Sequence, residues 1–294
     1  MTLLFLFLGL LVGVAAAARS TWSPCGLSML SSITPFGERA RGHRYGVTAA
    51  WFVLGAAAGG ATLGGLGAAG AAVVSAAGLV GHPGLLAGVA AGLAAVAAGV
   101  DAGLFGEVLP LLRRQVDDGW LARYRPWVYG VGFGWQIGTG LATYLMTAGV
   151  LLIGFLAVLS GSPAAAVVIG AGFGLARGLT VLLTARAGDP ARLRDLHRRL
   201  DAAGPAVRWA VVGVQAGAAL ALGLVAGGVT GEGGWVVPGV LVVCGALAGW
   251  AGVRLRGAGA CARPRTGAAP FPLGGADGTT AVQAAPAERS VVGA

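Results

Sequence analysis

Apolar residues run in long blocks along this chain, separated by short turns whose charge alternates. The blocks fall at roughly 3–33, 46–80, 84–106, 128–159, 164–185, 207–229 and 235–253. Each has the approximately 20 apolar residues that a helix needs to cross a bilayer core. The pattern predicts an all-α, polytopic membrane domain over residues 1–256 with about seven transmembrane helices. Beyond residue 256, Gly, Ala, Pro and Thr dominate without an apolar face, which predicts a disordered cytoplasmic tail over 257–294.

Charge sets the expected orientation. The 20 basic residues are all arginines. All but Arg19 and Arg177 fall in the turns 37–44, 107–126 and 186–208 or beyond residue 253, whereas the turns 81–83, 160–163 and 230–234 hold none. The positive-inside rule then places the N-terminus outside and the C-terminus in the cytoplasm of a cell (plasma) membrane. With 56% hydrophobic and 11% charged residues, the net charge of +9 reads as topology signal and contact with anionic head groups of the lipid bilayer. No basic stripe is interleaved with stacking aromatics, so nucleic acid is not an expected partner. Residues 3–18 end in a run of alanines, as a cleaved leader would, but lack its positively charged start. In the turn 186–208, Asp189 and Pro190 suit the start of a helix, and Leu193, Leu196 and Leu200 repeat at helical spacing against arginines. That predicts a short helix lying on the membrane surface.

Small residues say how the spans meet. Gly55 and Gly59, Gly60 and Gly64, Gly130 with Gly134 and Gly138, and Gly170 with Gly174 and Gly178 recur four apart, on one helix face each. Such faces let backbones approach closely. The run Tyr129 to Gly140 is so dense in glycine that this end of the fourth span is expected to be soft or broken, since each Gly costs a helix about 1 kcal/mol relative to Ala. The first block carries a helix breaker of its own, Pro24, and Pro35 follows just beyond it. Broken first and fourth spans suggest an inverted three-plus-three repeat with one added helix, and a substrate site where the two breaks meet.

At these residues the chain resembles a known family. Ser23-Pro24-Cys25-Gly26-Leu27, Tyr45-Gly46-Val47 and Trp51-Phe52-Val53-Leu54-Gly55 look like the transmembrane cytochrome c biogenesis and thiol-disulfide interchange family, of the CcdA and DsbD type. The resemblance covers roughly residues 3–229. It implies a relay of reducing equivalents between two cysteines, one within Pro-Cys-x-Leu-Pro in the first span and one within Phe-Gly-Trp-Thr-Pro-Cys-x-Gly-Pro in the fourth. Here Phe133-Gly134-Trp135 agrees, but Gln136-Ile137-Gly138 stands in place of Thr-Pro-Cys, so Gly138 holds the second cysteine's position. Ser28 replaces the last proline of the first motif. Cys244 and Cys261 lie in the last span and the tail.

The candidate site therefore gathers Cys25, Pro24, Ser31, Ser32, Gln136, Gly138, Thr139, Arg177 and Asp101. Cys25 is either a packed apolar side chain or a reactive thiol, for which Arg19 is a candidate cation. Asp101 and Arg177 lie at membrane depth, either as an ion pair or with Arg177 serving an anion. His43, His82 and His197 make no metal-ligand spacing, and no cofactor-binding motif is present. Three functions remain open. One is a transporter-like conduit for a small anion or thiol solute. A second is a thiol-disulfide redox protein in which Cys25 works with a partner such as a thioredoxin-like protein. The third is a non-transporting assembly factor.

Overall fold

A computed structural model describes residues 1–105, 124–141 and 143–230, with side chains through 228. The block 235–253, most of the turn 107–126, the tail, Cys244 and Cys261 lie outside the described residues. In chain order the helices are α1 (Thr2–Ser20), α2 (Pro24–Ser32), α3 (Pro35–Ala40), α4 (Tyr45–Ala76), α5 (Pro83–Ala102), α6 (Pro126–Thr139), α7 (Gly149–Leu159), α8 (Pro163–Leu179) and α9 (Pro190–Thr230). Short 3-10 turns cover Leu79–Gly81 and Thr180–Arg186.

Four of these helices begin with the same local device. Proline fills the first helical position, where its missing N–H is not needed. The residue before it accepts a bond from an otherwise unpaired backbone N–H. Ser23 Oγ accepts from Gly26 at 3.1 Å, Thr34 Oγ1 from Gly37 at 3.1 Å, Ser162 Oγ from Ala165 at 3.4 Å and Asp189 Oδ1 from Arg192 at 2.8 Å. The expected start at Asp189-Pro190 is among them.

Five stretches are long and apolar enough to cross a membrane: Thr2–Ser20, Tyr45–Ala76, Pro83–Ala102, Pro163–Arg186 and Pro190–Gly228. That fits a multi-pass membrane protein. Two of the expected blocks are each divided. The block 3–33 divides at residues 21–23, where Ser23 caps a new helix, so α2 is separate from α1. The block 128–159 divides into α6, of 14 residues, and α7, of 11 residues. The surface stretch 190–204 is continuous with the following span inside α9, despite Pro205. Trp22 Nε1 donates to the Leu200 carbonyl at 3.0 Å just before that proline.

The core is organised around α4, which packs on α6 and α8; α9 packs on α5, and α1 on α7, α8 and α9. Glycine makes the α4 contacts possible. A Cβ at Gly138 would lie 2.0 Å from the Ala56 carbonyl oxygen, one at Gly134 2.1 Å from that of Phe52, and one at Gly174 2.2 Å from that of Ala56. From the α4 side, a Cβ at Gly59 would lie 2.2 Å from the Trp135 carbonyl oxygen and one at Gly60 2.2 Å from that of Gly170. The glycines of α6 are thus buried in a helix crossing, and tertiary contact outweighs their poor helix propensity. The helix holds through Thr139 and breaks only at Gly140, whose φ of 70° suits glycine.

Candidate functional site

Unwound backbone at bilayer depth needs partners supplied by the protein. Among the described residues between Thr139 and Gly149 the fourth segment is not helical, and two of the three buried charged side chains, Arg177 and Asp101, each hold one end of it. On α8, Arg177 is 3% exposed and its Nη2 donates to Thr143 Oγ1 at 3.2 Å. Its guanidinium lies 6.0 Å from the centre of the Phe173 ring, at the outer limit of a cation–π contact. At the end of α5, Asp101 Oδ1 accepts the Ala148 N–H at 2.8 Å, and Oδ2 accepts from the Thr147 hydroxyl and from Gln215 Nε2 at 2.8 Å. Arg208 Nε adds a 2.8 Å bond to the Asp101 backbone carbonyl. Asp101 and Arg177 therefore make no ion pair with each other, contrary to one of the two expectations for them. Each anchors the break instead.

Cys25 occupies the second position of α2, 1% exposed, in an apolar cluster with Met29, Leu30, Ile33, Phe52, Phe133 and Ile137. Residues of the first and fourth segments thus share one apolar cluster. Arg177, not Arg19, acts on Cys25 electrostatically. Arg19 acts on Asp101 and Arg208.

The remaining candidates separate. Pro24 is exposed at the first position of α2. Exposed Ser31 donates to the Leu27 carbonyl at 2.9 Å and meets His197 Nε2 at 3.3 Å, while the Ser32 carbonyl accepts from Arg41 Nη2 at 3.0 Å. Gln136 is half-buried, and its carbonyl accepts from the Thr139 hydroxyl at 2.8 Å. Gly138 faces Ala56 of α4, so the position where the resembled family has its second cysteine is a backbone contact here.

Sequence reasoning missed Glu38. It is fully buried and accepts from Tyr129 Oη at 2.7 and 2.9 Å, from Thr48 Oγ1 at 2.6 Å and from Arg41 Nη1. One carboxylate thereby ties α3, α4 and the start of α6 together. The signal available was a lone acid within the arginine-bearing turn 37–44.

This chain is similar to the methylamine utilization protein MauF. It is 36% identical over 186 residues to MauF of Paracoccus versutus, covering 58% of this chain and 64% of that protein. With MauF of Paracoccus denitrificans it shares 34% identity over 183 residues, covering 58% of this chain and 61% of that protein. The chain thus spans less than two thirds of the curated relatives it matches. No family model matches, and no solved structure matches.

Proposed function

We propose that this chain is a plasma-membrane accessory protein of methylamine utilisation, with its N-terminus outside. Within it, the break in the fourth segment forms a conduit site for a small anion or thiol-bearing solute. One observation carries the reading. Arg177 is a nearly fully buried cation whose hydrogen bond among the described residues goes to a neutral hydroxyl, Thr143. Among the described residues no carboxylate lies within ion-pair distance of it. A buried charge without a counter-charge is costly, and a bound anion supplies one. MauF, by its name, belongs to methylamine utilisation, which supports an accessory role in that process.

A second reading has its own support. Cys25 lies in the first turn of α2, where the first segment divides, and offers a thiol to a partner's cysteine there. Its burial means that α2 must move for the exchange.

Gene replacement in the host separates the readings, with growth on methylamine as the readout and membrane abundance as the control. A conduit tolerates Cys25→Ser and fails with Arg177→Gln, whereas a thiol carrier fails with Cys25→Ser. Retained growth with both variants leaves the assembly-factor role.

A further inference from the structure

The second anchor of the break, around Asp101, contains an unpaired atom. Gln215 is fully buried, and its Oε1 has no hydrogen-bond partner among the described residues, while its Nε2 donates to Asp101 Oδ2 at 2.8 Å. Buried acceptors are rarely left unpaired, and each exception calls for a physical reason. An amide's oxygen and nitrogen exchange places by a half-turn, so the 2.8 Å contact suits two arrangements. With an ionised carboxylate, the nitrogen must face it and donate. With a protonated carboxyl group, the oxygen faces it and accepts the new O–H. Gln215 is therefore a side chain with a use in both states.

We propose that Asp101 and Gln215 form a proton-binding site in the membrane domain. A proton from water adds to Asp101 Oδ2, taking the side chain from charge −1 to neutral, and the Gln215 amide turns so that Oε1 accepts the new O–H. The amide lies over Gly149, where a Cβ would stand 3.0 Å from Nε2, so a larger residue there would crowd it. Among the described residues, the charged groups facing the site are Arg19 from α1 and Arg208 from α9. Arg19 acts on Asp101 from beyond ion-pair distance, and Arg208 bonds its backbone carbonyl rather than its carboxylate. Neither guanidinium is bound to the carboxylate, so the carboxylate remains available to a proton. The same oxygens accept from Thr147 and the Ala148 N–H at the start of α7. Those bonds weaken when the carboxylate loses its charge. Proton binding thus loosens the end of the break opposite to Arg177. The site does not depend on the nature of the solute.

Infrared difference spectra of the purified full-length protein in lipid nanodiscs, recorded across a pH titration, test this directly. A protonated-carboxyl band is expected to appear on acidification and to be absent in Asp101→Asn, while bands from other acids persist. Gln215→Leu removes a charge-assisted donor to the ionised form and only a weaker, neutral acceptor from the protonated one, so its titration midpoint should rise by about one pH unit, a tenfold change in proton affinity. This variant decides the matter if Asp101→Asn does not fold. A second readout uses Met146→Cys in a background with Cys25, Cys244 and Cys261 changed to serine. Its maleimide labelling should accelerate several-fold on acidification, and Asp101→Asn should label fast at every pH. An unchanged carboxyl band in Asp101→Asn, an unmoved midpoint in Gln215→Leu, or stabilisation by sodium in place of any carboxyl band would overturn the proposal.

Discussion

Gly138→Ala is a sharp test of how the fourth segment is held. The added Cβ would stand 2.0 Å from the Ala56 carbonyl oxygen and 2.7 Å from its carbonyl carbon and Cα. A Cβ does not approach a backbone atom within about 3 Å, so α4 and α6 must separate by roughly 1 Å, beyond what one side-chain rotation can absorb. The neighbouring contacts of Gly134 with Phe52 and Gly59 with Trp135 open with it. Overpacking of this kind costs about 3 kcal/mol, and the better helix propensity of alanine returns about 1 kcal/mol, leaving a loss of about 2 kcal/mol. For a domain of this size the melting temperature should fall by roughly 4–8 °C. Gly217→Ala is the control, since nothing lies within 4 Å of its Cβ position on α9. That variant should melt about 2–4 °C higher, from propensity alone. Melting of both proteins in one detergent, followed by intrinsic fluorescence, makes the comparison. A Gly138→Ala protein as stable as the wild type would refute the packing argument, and with it the conclusion that a sulfur at this position is excluded by α4.

Other expectations follow from the same contacts. Glu38→Ala leaves the Tyr129 and Thr48 hydroxyls without their acceptor and should destabilise by about 3–5 kcal/mol, with Glu38→Gln milder; denaturation in detergent measures the difference. Because Asp101 and Arg177 hold separate residues, Asp101→Asn and Arg177→Gln should add in the double variant to within about 0.5 kcal/mol, and recovery in the double variant would show that they pair after all. Trp22→Phe loses the bond to the Leu200 carbonyl and should cost about 1 kcal/mol in the same melting assay. For orientation, Arg41→Cys and Arg194→Cys should react with a membrane-impermeant thiol reagent only from the cytoplasmic side and Ser162→Cys only from outside. Labelling of all three from one face would rule the orientation out.

Much of the scaffold was legible because its causes are local or periodic. Apolar blocks mark α4, α5 and α8 within a few residues, Asp189-Pro190 marks the start of α9, and the four-apart glycines mark the helix crossings. The break in the fourth segment was legible as a tendency but not in place. The glycine run reads as weak when helix propensity is taken alone, yet contact with α4 keeps it helical to Thr139, and the chain unwinds where that contact ends. Partner choice was the least legible. Asp101 and Arg177 are natural partners by charge, but each is recruited by unwound backbone that no spacing reveals. Glu38 gathers Tyr129 from far along the chain, a pairing visible only after folding. The seventh span and the inverted repeat lie beyond what the described residues show.

The measurement closest to the central claim is growth on methylamine of a host strain whose own copy is replaced by Arg177→Gln. The account predicts that the wild-type gene supports growth and that Arg177→Gln, present in the membrane at wild-type abundance, does not, while both strains grow equally on ammonium and a methylamine-independent carbon source. Normal growth of the Arg177→Gln strain on methylamine would contradict it.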